Sequence, residues 1–216
     1  MTAALLTLAD ARLPAGGHAH SGGVEQAIAA GIVHDPASLG TFLRRRLATS
    51  GAVAAGLAAA AWGADAAGLD GLDVEADART PSPALRASSR QQGRGLVRVG
   101  RRAWPSDTWD ALPALPHHAI ALGVAAAAGG LAPCDAAQAA AYLSVSGPAT
   151  AAQRLLAMDP LTVAALTARL APEIDRVAAS TTGQNGDVGR IPAASDPLLD
   201  LLAEVHAARK DRFFAS

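Results

Sequence analysis

A single cysteine, Cys134, stands in the 216 residues, so no disulfide can close within the chain, and such usage fits a reducing, cytoplasmic compartment. Aromatic residues are only 3% and charged ones 17%, against 50% hydrophobic, which excludes the disordered class. With a net charge of −1, nothing overall draws the chain to nucleic acid or to an anionic membrane. No apolar stretch of about 18 residues is free of charge and helix breakers, so a membrane span is not expected. The nearest candidate, Ser50 to Gly63, is short and glycine-interrupted. The N-terminus, MTAALLTLADARLP, lacks a basic n-region and soon reaches Asp10 and Arg12, unlike a signal peptide. Missing too are the phosphate-binding Gly-rich loop, His-Glu-x-x-His, Cys-x-x-Cys and a nucleophile-elbow serine. Asp and Glu are scattered, without a pair suited to general acid–base work. These absences point away from an enzyme, and no cofactor is expected.

What is abundant is Ala, followed by Leu and Val, and the first two are among the strongest helix formers. Asp-Pro occurs three times, at Asp35-Pro36, Asp159-Pro160 and Asp196-Pro197, each before an apolar run. Asp caps orphan helix N–H groups, and Pro suits the next position, where its missing N–H costs nothing. After Asp35, Leu39, Phe42, Leu43 and Leu47 recur at helical spacing; after Asp196, Leu198, Leu202 and Val205 do the same. Further helices are predicted over Gly23–Ala30, Pro83–Ala103, His117–Ala128 and Pro133–Met158, the last kinked at Gly147-Pro148. Gly63–Pro81 reads as an acidic connection with a short helix inside it, and Thr181–Pro192 as a mobile polar loop. Strand-like alternation is missing. The expectation is an all-α, single-domain bundle spanning 1–216, with roughly eight to ten helices.

Two stretches stand out chemically. Before the first well-marked helix come Gly16, Gly17, His18, His20, Gly22, Gly23 and Glu25. Glycine-rich backbone there can cradle an anion or simply form a tight buried turn. In an extended segment His18 and His20 point the same way and could share a metal, or they could satisfy backbone groups within the turn. Glu25 falls in the first helical turn, where its charge is favoured. Further along, Arg86, Arg90, Arg94 and Arg98 repeat every four residues, a basic stripe opposite Leu85, Gln92, Leu96 and Val99. The stripe is either a solvated face or a dock for an acidic partner; nucleic acid is disfavoured because stacking aromatics are absent from this helix.

Several of these stretches, taken in order, resemble the urease accessory protein UreF family. The N-terminal run Leu5-Leu6…Leu13-Pro14-x-Gly16-Gly17…Ser21-x-Gly23-x-Glu25 is similar to its opening signature. Leu85-Arg86…Ser88-Ser89-Arg90-Gln91-Gln92-Gly93-Arg94 resembles its Arg-x-x-Ser-x-x-Gln-Gly helix. His118…Gly123, Tyr142, Arg154-Leu155 and the ending Pro197-Leu198…His206…Arg212-Phe213-Phe214 complete the likeness. The chain departs from the family pattern at His18 and His20, at Ala84, where Glu is usual, and at Ala157–Pro160. The resemblance implies an all-helical, dimeric adaptor that binds UreD (also called UreH) and the GTPase UreG. Such an adaptor couples GTP hydrolysis to nickel insertion into the urease apoprotein. Partner contacts are expected at His18, His20, Glu25, Arg86, Arg90, Arg94, Tyr142 and Arg154. The alternative is a direct nickel carrier using His18 and His20, with Cys134 or His117-His118 in support.

Overall fold

Capping chemistry sets most helix starts. The computed structural model describes residues 3–10, 12–181 and 188–215. Its helices are α1 (Ala3–Leu8), α2 (Val24–Ala29), α3 (Pro36–Arg46), α4 (Ala52–Ala61), α5 (Ala66–Ala78), α6 (Pro83–Ala103), α7 (His118–Ala128), α8 (Pro133–Leu155), α9 (Pro160–Thr181) and α10 (Pro197–Ala208). Among the described residues there is no strand, so the chain is all-α. Asp35 accepts from the Ser38 amide at 2.7 Å, Asp159 from Thr162 at 2.9 Å and Asp196 from Leu198 at 3.1 Å. All three Asp-Pro pairs thus start helices. A π-turn, Leu47–Gly51, joins α3 to α4 without a break.

The core is built from small residues. Every residue from Ala119 to Ala126 in α7 is buried, as expected for a helix apolar all round. α7 lies against α4, α6 and α8, and α8 lies against α4 and α9. A Cβ placed on Gly123 would sit 2.3 Å from the Ala58 carbonyl oxygen, and one on Gly93 would sit 2.0 Å from that of Pro116. Backbones therefore pass where a side chain would not fit, and alanine-rich faces replace the aromatic filling this sequence lacks. One exception is Trp109, buried against Gly100, its indole N–H donating to the Trp104 carbonyl at 2.9 Å.

Two local expectations need correction. Gly63–Pro81 is mostly helix, because α5 runs for 13 residues. Asp65 caps it by accepting from the Gly68 amide, and Leu69, Leu72, Asp73 and Ala76 bury one face. Its glycines and acids hid that periodicity. As expected, α8 runs through Pro148, reaching Leu155. Gly17 needs no glycine: a Cβ there meets nothing within 4 Å, whereas Gly16, Gly22 and Gly23 adopt φ of +88°, +61° and +88°. Of the polar stretch 181–192, residues 182–187 lie outside the described residues, while 188–190 form a 3-10 turn and Ile191 is buried.

Candidate docking surface

The N-terminal turn is held by the C-terminal segment through one buried acid. Glu25, in the first turn of α2, accepts from His206 Nε2 of α10 at 2.8 Å. It also accepts from the amides of Phe213 at 2.7 Å and Phe214 at 3.0 Å. Burial opposes its charge, but the bonds from Phe213, His206 and Phe214 outweigh that and hold its pKa below the ordinary carboxylate value. Arg209 donates to Gln26 at 3.1 Å, and the Ala215 amide donates to the Ala19 carbonyl at 2.7 Å. Glu25 is thus a clasp between segments more than 180 residues apart, beyond the turn-positioning role its place in the sequence suggests. The clasp leaves the Phe213 ring 86% exposed.

The segment so clasped lies on α6. A Cβ on Gly95 would sit 2.1 Å from the Ala15 carbonyl oxygen, so the chain crosses α6 at backbone distance. His20 is buried there, its Nδ1 paired with Ser88 Oγ at 3.1 Å, and burial, aided by the charge of His18, drives its pKa down to about 4. It is neutral near pH 7. His18 is exposed on the 3-10 turn Gly17–Ala19. The expectation that the two imidazoles point the same way fails, because that turn replaces the extended segment it assumed. His118 is similarly driven down to about 4 by burial and then by His20. Among the described residues no group of three or more His, Cys, Asp or Glu could hold a metal ion. Cys134 is exposed at the start of α8.

The arginine stripe divides in two. Arg90 donates to Asp73 and Asp77 of α5, each at 2.8 Å, and to the Leu115 carbonyl. Asp73, buried, also accepts from the His117 amide at 2.8 Å. His117 Nε2 donates to Asp77 at 2.8 Å, and its Nδ1 pairs with Ser89 Oγ at 3.0 Å. Arg90 is therefore an internal tie between α5, α6 and the turn before α7, and its neighbours hold Asp77 below its ordinary pKa despite the opposing effect of burial. Arg86 folds back onto the carbonyls of Thr80 (2.7 Å) and Pro81 (3.0 Å). Arg94 and Arg98 remain exposed, and among the described residues neither has an acidic or hydrogen-bonding partner. On the inner side of α6, Leu96 is buried as expected, but Leu85, Gln92 and Val99 are only half-buried, and Ser88, Gly93 and Gly100 take the closest contacts.

The structure brings His18, His20, Glu25 and the α6 arginines onto adjoining segments and places Tyr142 and Arg154 apart, on α8. Tyr142 is 38% exposed and lines a groove between α8 and α9, with Gln138, Ser146, Ala164 and Ile174 around it. Arg154 is exposed in the last turn of α8. Sequence reasoning missed the C-terminal partners of Glu25 and the acids of α5; the recurring Leu69, Leu72 and Ala76 were the available sign of the latter.

Residues 33–171 match the family model described as UreF. The urease accessory protein UreF of Mycolicibacterium vanbaalenii is 54% identical over 216 residues, covering 99% of this chain and 98% of the relative. That of Mycobacterium marinum is 52% identical over 214 residues, again covering 99% and 98%.

Proposed function

Since the chain belongs to the UreF family of urease accessory proteins, we propose that it acts as a docking protein in urease maturation. In this reading it binds UreD (UreH) and the GTPase UreG and couples GTP hydrolysis to nickel delivery into the urease apoprotein. The observation that carries the reading is the face built by α6 and the clasp. Arg94 and Arg98 stand exposed and uncommitted beside a segment whose neighbour holds out the Phe213 ring. Cations and an aromatic that folding does not use are what an acidic protein partner can take up.

Direct carriage of nickel by His18 and His20 has less support, because His20 is turned inward, bonded to Ser88 and neutral. Tyr142 in the α8–α9 groove suits self-association, where a tyrosine adds buried area at low rotamer cost. No described helix is long and apolar enough to cross a membrane. The test of the adaptor reading is urease apoprotein activated in vitro with nickel, GTP, bicarbonate, UreD and UreG, with and without this chain. Activation that depends on the chain, together with its recovery in a complex with UreD and UreG, is the expected result. Equal activation in its absence would overturn the proposal.

A further inference from the structure

Pro148, inside α8, has no N–H, so the carbonyl of Ser144, four residues earlier, loses its helical partner. Arg46 supplies the replacement, its Nε donating to that carbonyl at 3.1 Å. This contact fixes the guanidinium but uses one of its five N–H groups. The four on Nη1 and Nη2 meet no acceptor, and no carboxylate pairs with them, among the described residues. The preceding arginines differ: Arg44 pairs with Glu173 at 3.3 Å and Arg45 with Asp196 at 2.8 Å.

Arg46 lines a cavity of about 210 Å³. Gly22 forms the floor beside it, at φ +61°, and a Cβ there would sit 2.7 Å from Pro148 Cγ and 3.3 Å from Arg46 Cζ. The π-turn begins at the next residue, and in the cavity wall its Thr49 hydroxyl donates to the Arg45 carbonyl at 2.8 Å and its Ser50 hydroxyl to the Arg46 carbonyl at 3.3 Å. A Cβ on Gly51 would sit 2.6 Å from Ser144 Oγ, so the turn is pressed against α8. Burial draws the Arg46 pKa down to about 10, so the group stays cationic at neutral pH, a half-buried charge without a counter-charge. Two acids share the cavity. Asp196 is engaged by Arg45, and Asp200 is pushed up by burial and by Asp196 and Glu204; neither offsets the charge of Arg46. His118 and Gln92 add neutral polar wall.

We propose that this cavity binds a small oxyanion, gripped by the free Nη1 and Nη2 of Arg46. A planar fork already fixed through Nε matches two oxygens of a carboxylate or phosphate group and loses little freedom on binding.

The test is calorimetric titration of the full chain with sodium phosphate and, separately, sodium acetate, at constant ionic strength in chloride. One saturable site per chain is expected for at least one anion. Saturation by phosphate alone marks a tetrahedral phosphoryl-type occupant, and saturation by acetate alone a carboxylate. Arg46→Gln should weaken binding at least about tenfold, the loss expected for a charge-assisted pair. Arg46→Lys keeps the charge without the fork, should fold, and should bind more weakly than the parent. Should both variants fail to fold, the Arg46 Nε–Hε resonance of the ¹⁵N-arginine-labelled parent carries the test, and it should shift in step with saturation. No saturable binding of either anion, undiminished binding in a folded variant, or saturation that leaves the resonance unmoved would each overturn the proposal.

Discussion

Glu25→Gln is the sharpest perturbation of the clasp. The substitution keeps the volume and one carbonyl oxygen but removes the charge and places an NH₂ where the carboxylate accepted a bond. Of three bonds now received, at 2.7, 2.8 and 3.0 Å, at least one loses its acceptor and the others lose their charge assistance. Charge-assisted bonds contribute about 1.5–3 kcal/mol each, and an orphaned buried donor costs about 1–3 kcal/mol, so a total near 3 kcal/mol is expected. For a chain of this size that is a fall in Tm of about 6–12 °C. Hydrogen exchange at the Phe213 and Phe214 amides should quicken by about two decades. The effect also carries a pH signature. The folded pKa of Glu25 lies below its unfolded value, so its stabilisation is complete above the unfolded pKa and is lost as pH falls through the folded one. The gap in stability between parent and Glu25→Gln should therefore close on acidification. A variant that melts within 2 °C of the parent, with Phe213 and Phe214 equally protected, would refute the clasp.

Gly93→Ala should destabilise by more than about 3 kcal/mol, because its Cβ would meet the Pro116 oxygen at 2.0 Å, while Gly17→Ala, in open space, should stay within about 0.5 kcal/mol in the same chemical melts. Asp73→Asn should cost about 2 kcal/mol by loosening Arg90 and the His117 amide, and a double-mutant cycle with Arg90→Gln should show their coupling. Arg94→Glu with Arg98→Glu should leave melting nearly unchanged yet weaken capture of UreD or UreG at least tenfold; full capture would mean the pair is merely solvated. Tyr142→Asp should leave a folded chain that sediments as a monomer, against a dimer for the parent, and a monomeric parent at micromolar concentration would remove the self-association reading.

Features written within a few residues were legible in the sequence. Asp-Pro announced α3, α9 and α10, and the unbroken apolar run from Ala119 announced a buried α7. Pairings across the chain were not. Nothing near Glu25 names His206 or Phe213, and the spacing of Arg90 on its helix is the same as that of Arg94, although one is tied to α5 and the other is not. The His18–His20 reading assumed extended backbone, whereas Gly16 at φ +88° leads into a 3-10 turn that separates the side chains.

The separation of 188 positions from Glu25 to Phe213 also sets a waiting time during synthesis. At elongation rates of about 5–20 residues per second, a nascent chain carries its N-terminal acid for about 10–40 s before the amides that receive it have been made. Throughout that interval the glycine turn lacks its C-terminal fastening. A ribosome-bound chain thus offers quality-control factors an unfinished N-terminal edge, and a stalled or truncated product keeps it permanently.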